Sequence, residues 1–289
     1  MPEDFGFFTF EHKGSTEDVL NVVKRAYEAG KTCLGQIDGV VLPELALTSE
    51  MHARLSEYIL GEKAFLIAGV GRASESSAEH GINTVSLDIP GLQPLSQRKH
   101  HRWKLNCDQI EQYGLGTRLH PERTWWEHVS LEERKVMLVS MFPWLVMCPL
   151  ICEDLARPDP VGDIVRAVGP NLVIALLMDG PQLKARWGAR YATALADDPG
   201  CSVLTVTSLG MSALSRPSRG GTDRRRVIAL WKDSEHGEAT EIDLPPDSDA
   251  VVLSLSVRYV EEYTADGRSD KGAAGCPILS GVYPLKSAS

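Results

Sequence analysis

Hydrophobic residues in this chain fall mainly in short unbroken runs, and several of these runs end directly on polar residues. The clearest run extends from Trp144 to Ile151 and is followed at once by Cys152, Glu153 and Asp154. A continuous apolar run of this length is typical of a strand buried on both faces. In open α/β sheets ligands bind at the carboxyl edge of the strands, so the pattern predicts that Cys152 reaches a polar site. A cysteine in a soluble chain is more often a small buried hydrophobe, and the two acids that follow argue against that interpretation.

The same pattern predicts more strands than helices along the rest of the chain. Strands are predicted at 5–10, 39–42, 64–70, 82–89, 136–142, 144–151, 172–178, 202–207, 227–231 and 250–257, and helices at 15–30, 50–60, 105–113, 161–168 and 182–197. The strand at 82–89 alternates as if one face were solvated, and Gly30 is predicted to end the first helix. A simple doubly wound sheet fits this ratio poorly. Two stacked sheets with helices on their outer faces fit it better.

The length of 289 residues is enough for one large core or two small ones. We predict a single domain over residues 1–263, followed by a polar tail without periodicity over residues 264–289. Residues 71–80 and 216–226 are predicted to be loops, because they are rich in glycine and polar residues.

The charge and cysteine content narrow the class of protein. A net charge of -9 disfavours broad binding to nucleic acids or anionic membranes, both of which require a basic face. The amino terminus lacks the features of a signal peptide, and no apolar stretch is long enough to span a bilayer. The six cysteines form no CxxC pair, so we expect free thiols in the reducing cytoplasm.

Three predicted strands end on residues with reactive side chains, namely Glu44, Cys152 and Asp179, and a basic segment at 97–104 supplies Lys99 and Lys104. A thiol is a weak nucleophile while it is protonated, and a neighbouring carboxylate can accept its proton as a general base. A lysine can stabilise the oxyanion that forms when a carbonyl or nitrile carbon is attacked. Cysteine, glutamate and lysine together are therefore sufficient for acyl transfer without a histidine.

Three segments, in this order and spacing, resemble the nitrilase superfamily of carbon–nitrogen hydrolases. They are Val41–Thr48 (VLPELALT), Lys99–His101 (KHH) and Leu150–Leu155 (LICEDL), and the resemblance extends from about residue 5 to 257. It implies an α/β (α+β) fold, a four-layer α-β-β-α sandwich, with a Glu–Lys–Cys triad and a supporting glutamate. It also implies a homo-oligomer, because members of this family usually dimerise through the sandwich faces.

The resemblance assigns roles to individual residues. Glu44 follows the proline of the family's PE motif and is expected to be the general base, and Cys152 is expected to be the nucleophile. Lys99 fits the family's K-x-H pattern at the expected distance after Asn83 and Gly91, and Lys104 is the fallback. Glu127 is expected to be the supporting glutamate, with Glu111 and Glu122 as rivals.

Two finer likenesses concern the branch of this superfamily. PELALT and ICEDL look more like the glutamine-amide hydrolase domains of NAD synthetases than like true nitrilases, where a tryptophan commonly follows the cysteine. The chain lacks the Ser-Gly-Gly-rich nucleotide loop of the synthetase half, so ammonia would be released or passed to a separate partner enzyme. Residues 168–210 faintly resemble nitrilase-like modules found with bacterial reverse transcriptases in defence systems. The first strand and the long segment at 105–135 depart from the family pattern.

Other polar residues have simpler interpretations beside the functional ones. Asp179 could line a substrate pocket or cap the following helix, and Arg186 and Arg190 are more typical of surface or helix-end partners. His100, His101 and Cys107 match no compact zinc site, so we expect no metal, and we expect no cofactor. The arginines at 219 and 224–226 could contact RNA, although an ordinary loop is favoured in an acidic protein.

The sequence thus favours a cytoplasmic hydrolase of non-peptide carbon–nitrogen bonds, an amidase that acts on a small linear amide and releases ammonia. In that case a poised Cys152 thiolate should react with iodoacetamide faster than the other five cysteines. Two alternatives remain open. One is a nitrilase-like module that binds or scaffolds a partner without turnover, and the other is an acyltransferase that uses an amine in place of water.

Overall fold

The computed structural model describes residues 6–8, 10–72, 80–215, 226–260 and 274–286. Parts of the predicted first strand, of the loops at 71–80 and 216–226 and of the carboxyl-terminal tail lie outside the described residues, and so do the arginines at 219, 224 and 225.

Fifteen strands and six α-helices occur within these ranges. The strands are β1 (Gly6–Phe7), β2 (Gly39–Leu47), β3 (Phe65–Arg72), β4 (Ile82–Asp88), β5 (Leu95–Arg98), β6 (Lys104–Leu105), β7 (Trp125–Glu127), β8 (Val139–Phe142), β9 (Leu145–Ile151), β10 (Leu172–Leu177), β11 (Ser202–Thr207), β12 (Val227–Lys232), β13 (Thr240–Asp243), β14 (Ser248–Val260) and β15 (Ala274–Lys286). The helices are α1 (Thr16–Leu34), α2 (Ser49–Gly61), α3 (Cys107–Gln112), α4 (Asp163–Val168), α5 (Trp187–Asp197) and α6 (Leu209–Leu214), and a short 3-10 helix spans Cys152–Ala156.

Two sheets stack face to face and enclose the main core. The larger sheet has the order β13-β12-β11-β10-β9-β8 and is parallel from β9 to β11, and the smaller sheet has the order β2-β3-β4-β5. Val85 and Leu87 of β4 belong to the same buried cluster as the side chains of β9, β10 and β11. Every residue of β10 is buried, as expected for a strand covered on both faces.

Helices cover the outer face of each sheet. Tyr27 of α1 and Leu55 of α2 pack with Leu66 and Ala68 of β3 in a second core cluster. On the other side, apolar residues of α4 and α5, including Val165 and Ala192, join the main core. The four layers are therefore helix, sheet, sheet and helix, and the predicted α-β-β-α sandwich is confirmed.

The first helix begins where the sequence predicts and ends later. The Ser15 side chain accepts a hydrogen bond from the Asp18 amide, and Asp18 reciprocates in a capping box. The helix continues through Gly30 and stops at Gly35, so the expected stop at Gly30 was wrong. A Cβ atom at position 30 would lie 2.9 Å from Cδ1 of Ile37, so this glycine permits the segment after the helix to pack closely against it.

Two further predictions about single elements were wrong, and five short elements were not predicted. The strand at 82–89 has no solvated face, because its polar residues Asn83, Ser86 and Asp88 are buried against hydrogen-bonding partners. Strands β5, β6, β7 and β13 and helix α6 are short, and their sequences lack a clear apolar period. The chain beyond 263, predicted to lack regular structure, contains β15, which pairs with β14 along almost its whole length.

Two smaller sheets complete the fold. Strands β1, β7 and β6 form one, and β14 and β15 form an antiparallel hairpin. Among the described helices, none combines the length and the apolar character that a membrane crossing requires.

Candidate active site

Glu44 lies on an irregular part of β2 that points into the space between the sheets. The register of β2 against β3 shifts between Leu42 and Leu47, and Leu45 adopts a positive φ of 54°. Gly69 of β3 makes this geometry possible, because a Cβ atom there would lie 2.4–2.5 Å from the backbone atoms of Pro43, Glu44 and Leu45. The Glu44 carboxylate is 4% exposed and accepts a hydrogen bond from the Met178 amide, 2.6 Å from Oε2.

Lys99 lies directly after β5, and its ammonium group binds two carboxylates. Nζ is 2.9 Å from Oε1 of Glu44 and 2.6 Å from Oε2 of Glu127. The Lys99 amide donates to the carbonyl oxygen of Asn83, which continues the pairing of β4 with β5. The side chain is 2% exposed, so it is removed from water, and the carboxylates are its counter-charges.

Glu127, at the end of β7, is the glutamate that the structure places beside Lys99. Its Oε2 atom also accepts a hydrogen bond from the Trp103 amide at 3.1 Å. Asn83 of β4 donates from Nδ2 to Oε1 of Glu127 at 3.1 Å and to Oε1 of Glu44 at 2.7 Å. The two glutamates are therefore linked by two donors, an ammonium group and an amide group.

Cys152 follows β9 at the start of the 3-10 helix, with a positive φ of 45°. The thiol is 5% exposed and lies within the electrostatic reach of Glu44, Lys99, Asp179 and Glu127. The turn after the apolar strand thus delivers the sulfur to the same enclosed site as the two glutamates and the lysine.

Burial dominates the protonation states at this site. It raises the pKa of the Cys152 thiol well above its ordinary value, and the Glu44 carboxylate adds to this increase while Lys99 opposes it. The thiol is therefore protonated in the resting site. The sulfur is buried next to more negative than positive charge, which disfavours a thiolate at rest. The expected fast reaction of Cys152 with iodoacetamide stays a prediction.

Glu44 and Lys99 have shifted pKa values that suit a base and a permanent cation. Burial raises the pKa of Glu44, and Lys99 partly offsets this increase. Burial alone would lower the pKa of Lys99, but the Glu127 and Glu44 carboxylates outweigh it and raise this pKa well above the ordinary value. The lysine therefore stays charged, and the raised pKa of Glu44 makes it a stronger base than an ordinary carboxylate.

Asp154 connects the cysteine turn to the lysine segment. This carboxylate is 1% exposed and accepts hydrogen bonds from the backbone amides of His100, at 3.0 and 3.1 Å, and His101, at 2.9 Å. The Nδ1 atoms of both histidines also contact it. Burial opposes ionisation of Asp154, but its hydrogen bonds to the two histidines outweigh burial and lower its pKa.

The remaining candidates from the sequence lie outside this group. Lys104 is exposed and stands over the ring of Trp126 at 5.4 Å, and Glu111 and Glu122 are exposed. Cys107 is also exposed, and the two histidines proposed beside it for zinc contact Asp154. Exposure therefore separates Lys99 from Lys104, and Glu127 from its two rivals.

Asp179 does not cap a helix. Helix α5 begins after Arg186 without a side-chain cap. Asp179 instead accepts hydrogen bonds from the hydroxyl of Tyr113, from Arg186 at 2.6 Å and from the indole of Trp187 at 2.9 Å. Arg190 is exposed. Asp179 and its partners therefore form an ordered polar wall whose charge reaches Cys152.

Asn83, Asp154 and Tyr113 are the site residues that sequence reasoning did not assign. In the sequence, Asn83 was used only to mark the expected distance to Lys99. The sequence of β4 did not single Asn83 out, because the same strand also contains the buried polar residues Ser86 and Asp88. Asp154 stood beside the cysteine in the sequence, but its histidine partners are 53 and 54 residues away, and nothing in the spacing links them.

No family model matches the chain, and no curated protein matches it. Solved structures, however, match the chain. A cysteine-to-alanine mutant of the Nesterenkonia AN1 amidase from the nitrilase superfamily aligns with a TM-score of 0.53 at 13% identity, covering 80% of this chain and 82% of that one. Nit3 of Saccharomyces cerevisiae, a member of branch 10 of that superfamily, aligns with a TM-score of 0.55 at 13% identity, covering 81% of this chain and 83% of that one.

The chain therefore has the fold of the nitrilase superfamily, as the sequence resemblance implied. At this level of identity the likeness concerns the fold. The finer likenesses, to the glutamine-amide hydrolase domains of NAD synthetases and to modules found with reverse transcriptases, stay predictions.

Proposed function

We propose that this protein hydrolyses non-peptide carbon–nitrogen bonds, and that its substrate is a small linear amide. One observation carries the proposal. A thiol, two carboxylates and an ammonium group from four separate segments meet in one site, and each of these side chains is at most 5% exposed. Such a set of residues supplies a nucleophile, a base and a stabilising cation in a region that excludes water.

The first half of the reaction forms a thioester. The sulfur of Cys152 attacks the amide carbon while Glu44 takes the thiol proton, and the carbonyl electrons move to oxygen. An ammonium group has three N–H donors, and in the described part of the chain two of those on Lys99 bind Glu44 and Glu127, so one is left for the oxyanion. The intermediate then collapses, the carbon–nitrogen bond breaks, and Glu44 gives its proton to the leaving ammonia.

The second half returns the enzyme to its starting state. Water attacks the thioester carbon while Glu44 again takes a proton, and collapse of the second intermediate breaks the carbon–sulfur bond. The proton on Glu44 returns to the sulfur, and the carboxylic acid leaves. Glu44 thus acts as base and acid in turn, which requires a pKa closer to neutral pH than that of an ordinary glutamate.

Ammonia release from a panel of amides, carbamoyl compounds and nitriles tests this proposal. Cys152→Ser and Cys152→Ala should reduce the release by at least about 1,000-fold while the circular dichroism spectrum stays unchanged, since removal of a nucleophile acts on this scale. Cys148→Ala is the matched control, because Cys148 is a buried cysteine of β9, the strand that Cys152 follows. Full activity in Cys152→Ala would exclude the mechanism.

A further inference from the structure

Asn83 is a buried amide that contacts both carboxylates of the site, and the reaction as described gives it no task. Its side chain is 2% exposed. Nδ2 carries two hydrogens and has two carboxylate partners, Oε1 of Glu44 at 2.7 Å and Oε1 of Glu127 at 3.1 Å. The orientation of the amide is determined by these contacts, because the reversed amide would point its oxygen at two carboxylates.

The carbonyl half of the same side chain shows what keeps Asn83 there. Oδ1 of Asn83 is buried and accepts no hydrogen bond from any described residue. Burying a polar atom without a partner is unfavourable. The presence of an asparagine at position 83 is therefore explained by the two carboxylates that Nδ2 binds. A leucine of similar shape would lose these two hydrogen bonds and no others.

Asn83 and Lys99 form a closed ring with the two glutamates. Each donor binds both carboxylates, and Oε1 of Glu44 accepts from both donors. The Lys99 amide also donates to the carbonyl of Asn83 at 2.9 Å, so the two donors are joined through the backbone. The ring contains two carboxylates and a single cation. The Asn83 amide donates a hydrogen bond to each carboxylate and so stabilises both without adding a second positive charge.

We propose that Asn83 is a positioning residue for the reaction, and that its amide holds Glu44 between Lys99, Glu127 and Met178 in the orientation in which it exchanges protons with Cys152. This inference rests on the proposed function. It assigns Asn83 no contact with the substrate.

Loss of the Asn83 amide should change the pH dependence of the reaction. A hydrogen bond donated to a carboxylate favours its ionised form, so loss of the Asn83 amide should raise the pKa of Glu44 further. Lys99, Glu127 and the Cys152 thiol are the other ionisable groups that face Glu44, and they remain in place. Glu44 must be ionised to act as the base, so the acid limb of kcat/KM should move to higher pH.

The test compares Asn83→Leu with Gln97→Met. Gln97 is an equally buried amide on the neighbouring strand β5, and it bonds only to the backbone of Met137 and Pro149 in the described part of the chain. Asn83→Leu should lower kcat by roughly tenfold to 100-fold, which is less than the loss of general base catalysis as a whole, with KM unchanged. The acid limb should move only in the Asn83 variant. If Asn83→Leu does not fold, Asn83→Ser replaces it in the test. The shorter serine side chain also removes the Nδ2 contacts, and it places no apolar group beside the carboxylates.

A second measurement does not depend on turnover. The Glu44 carboxyl carbon, identified by its absence in Glu44→Gln, is titrated by ¹³C NMR in wild type, Asn83→Leu and Gln97→Met. A titration at higher pH in Asn83→Leu alone supports the inference, even if no amide in the panel is hydrolysed and the proposed function fails. An unchanged titration, or a higher KM with unchanged kcat, would overturn the role of Asn83 while leaving the hydrolase proposal intact.

Discussion

At the scale of single residues, backbone strain is concentrated at the site. Among the described residues only three non-glycine residues have a positive φ, and two of them are Leu45, which follows Glu44, and Cys152. Such conformations are unfavourable for residues with a Cβ atom and persist where the surroundings enforce them. The side chains of the proposed base and nucleophile are therefore directed by local backbone geometry that the two sheets hold in place.

Gly69 is the residue on which the geometry of Glu44 depends. Gly69→Ala would place a Cβ atom 2.4–2.5 Å from the backbone at residues 43–45, and the atoms it meets cannot rotate away. We expect destabilisation of about 1–3 kcal/mol, the usual range for overpacking, and loss of most of the proposed ammonia release because Glu44 moves. Urea unfolding and ammonia release measure the two effects.

Gly61→Ala is the control for this substitution. Gly61 ends helix α2, and a Cβ atom there would meet nothing within 4 Å. We expect unchanged activity and equal or slightly greater stability, because alanine favours a helix. If Gly69→Ala and Gly61→Ala changed activity and stability equally, Gly69 would not determine the geometry of the site.

Glu127 and Glu122, one of its two rivals from the sequence, should respond differently to the loss of their charge. Glu127→Gln keeps a side chain of the same shape but removes one carboxylate from Lys99 and Asn83, so the network around Glu44 must rearrange. We expect at least a roughly tenfold fall in kcat, since general acid–base arrangements contribute about 100- to 10,000-fold in all. Glu122→Gln changes an exposed side chain and should leave kcat unchanged. A fall in kcat in Glu122→Gln, with kcat unchanged in Glu127→Gln, would mean that Glu122 is the supporting glutamate.

At the scale of elements, the site depends on a connection between two segments that end on different sheets. Asp154 belongs to the turn after β9 in the larger sheet, and the amides it binds follow β5 in the smaller sheet. Cys152 and Lys99 each lie within two residues of this connection. Asp154 therefore joins the segment that carries Cys152 to the segment that carries Lys99.

Asp154→Asn should weaken this connection and do so in a pH-dependent way. The substitution removes a buried charge from its hydrogen-bonding partners, at a cost of about 3 kcal/mol at pH 7. The pKa of Asp154 is lowered in the folded protein, so its contribution is complete above the unfolded value of about 3.9 and is lost as the pH falls through the folded value. Urea midpoints of wild type and variant should differ most near neutral pH and converge below about pH 4.

The neighbouring acid provides the control for Asp154. Glu153 is bonded to Arg157 in a partly exposed i,i+4 ion pair, and such pairs contribute about 0–1 kcal/mol. Glu153→Gln should therefore change the urea midpoint little at any pH. A pH-independent loss of stability in Asp154→Asn would mean that the carboxylate charge is not what holds the two segments.

Long, strongly apolar elements could be predicted from the sequence, and short elements could not. The runs at 144–151, 172–178 and 202–207 are buried strands, because a continuous apolar run leaves few alternatives. Strands β6 and β7 are two and three residues long and depend on tertiary pairing, so no local pattern reveals them. Glu127 lies on one of these short strands, which is why the sequence left three glutamates open until burial distinguished them.

At the scale of the whole molecule, the sequence missed the role of the final strand. β15 contains Pro277 and Pro284, which cannot donate to a ladder and are tolerated on edge strands. It pairs only with β14 among the described strands, and it is tied to the larger sheet where Asn171 and Ser202 donate to the carbonyls of Gly275 and Pro277. Alternation was hidden by these prolines and by glycines, so the segment resembled a polar tail.

Truncation after residue 263 tests the predicted domain boundary. It removes β15 and leaves β14 without its partner, exposing unpaired backbone groups along an edge. We expect a lower melting temperature and aggregation on concentration. Ser280→Ala, which loses exposed hydrogen bonds to Ser254, should melt like the wild type. A truncated chain that melts like the wild type would confirm 263 as the end of the stable domain.

The protonated, enclosed state of the Cys152 thiol has a consequence for survival under oxidative stress. Peroxide attacks thiolates that it can reach, and Cys152 is neither ionised nor accessible at rest. Oxidation should fall first on Cys33 and Cys107 at the surface, where sulfenic acid can form without harm to the site. We expect peroxide to oxidise Cys152 later than these two surface cysteines, so that the proposed nucleophile stays reduced while they react.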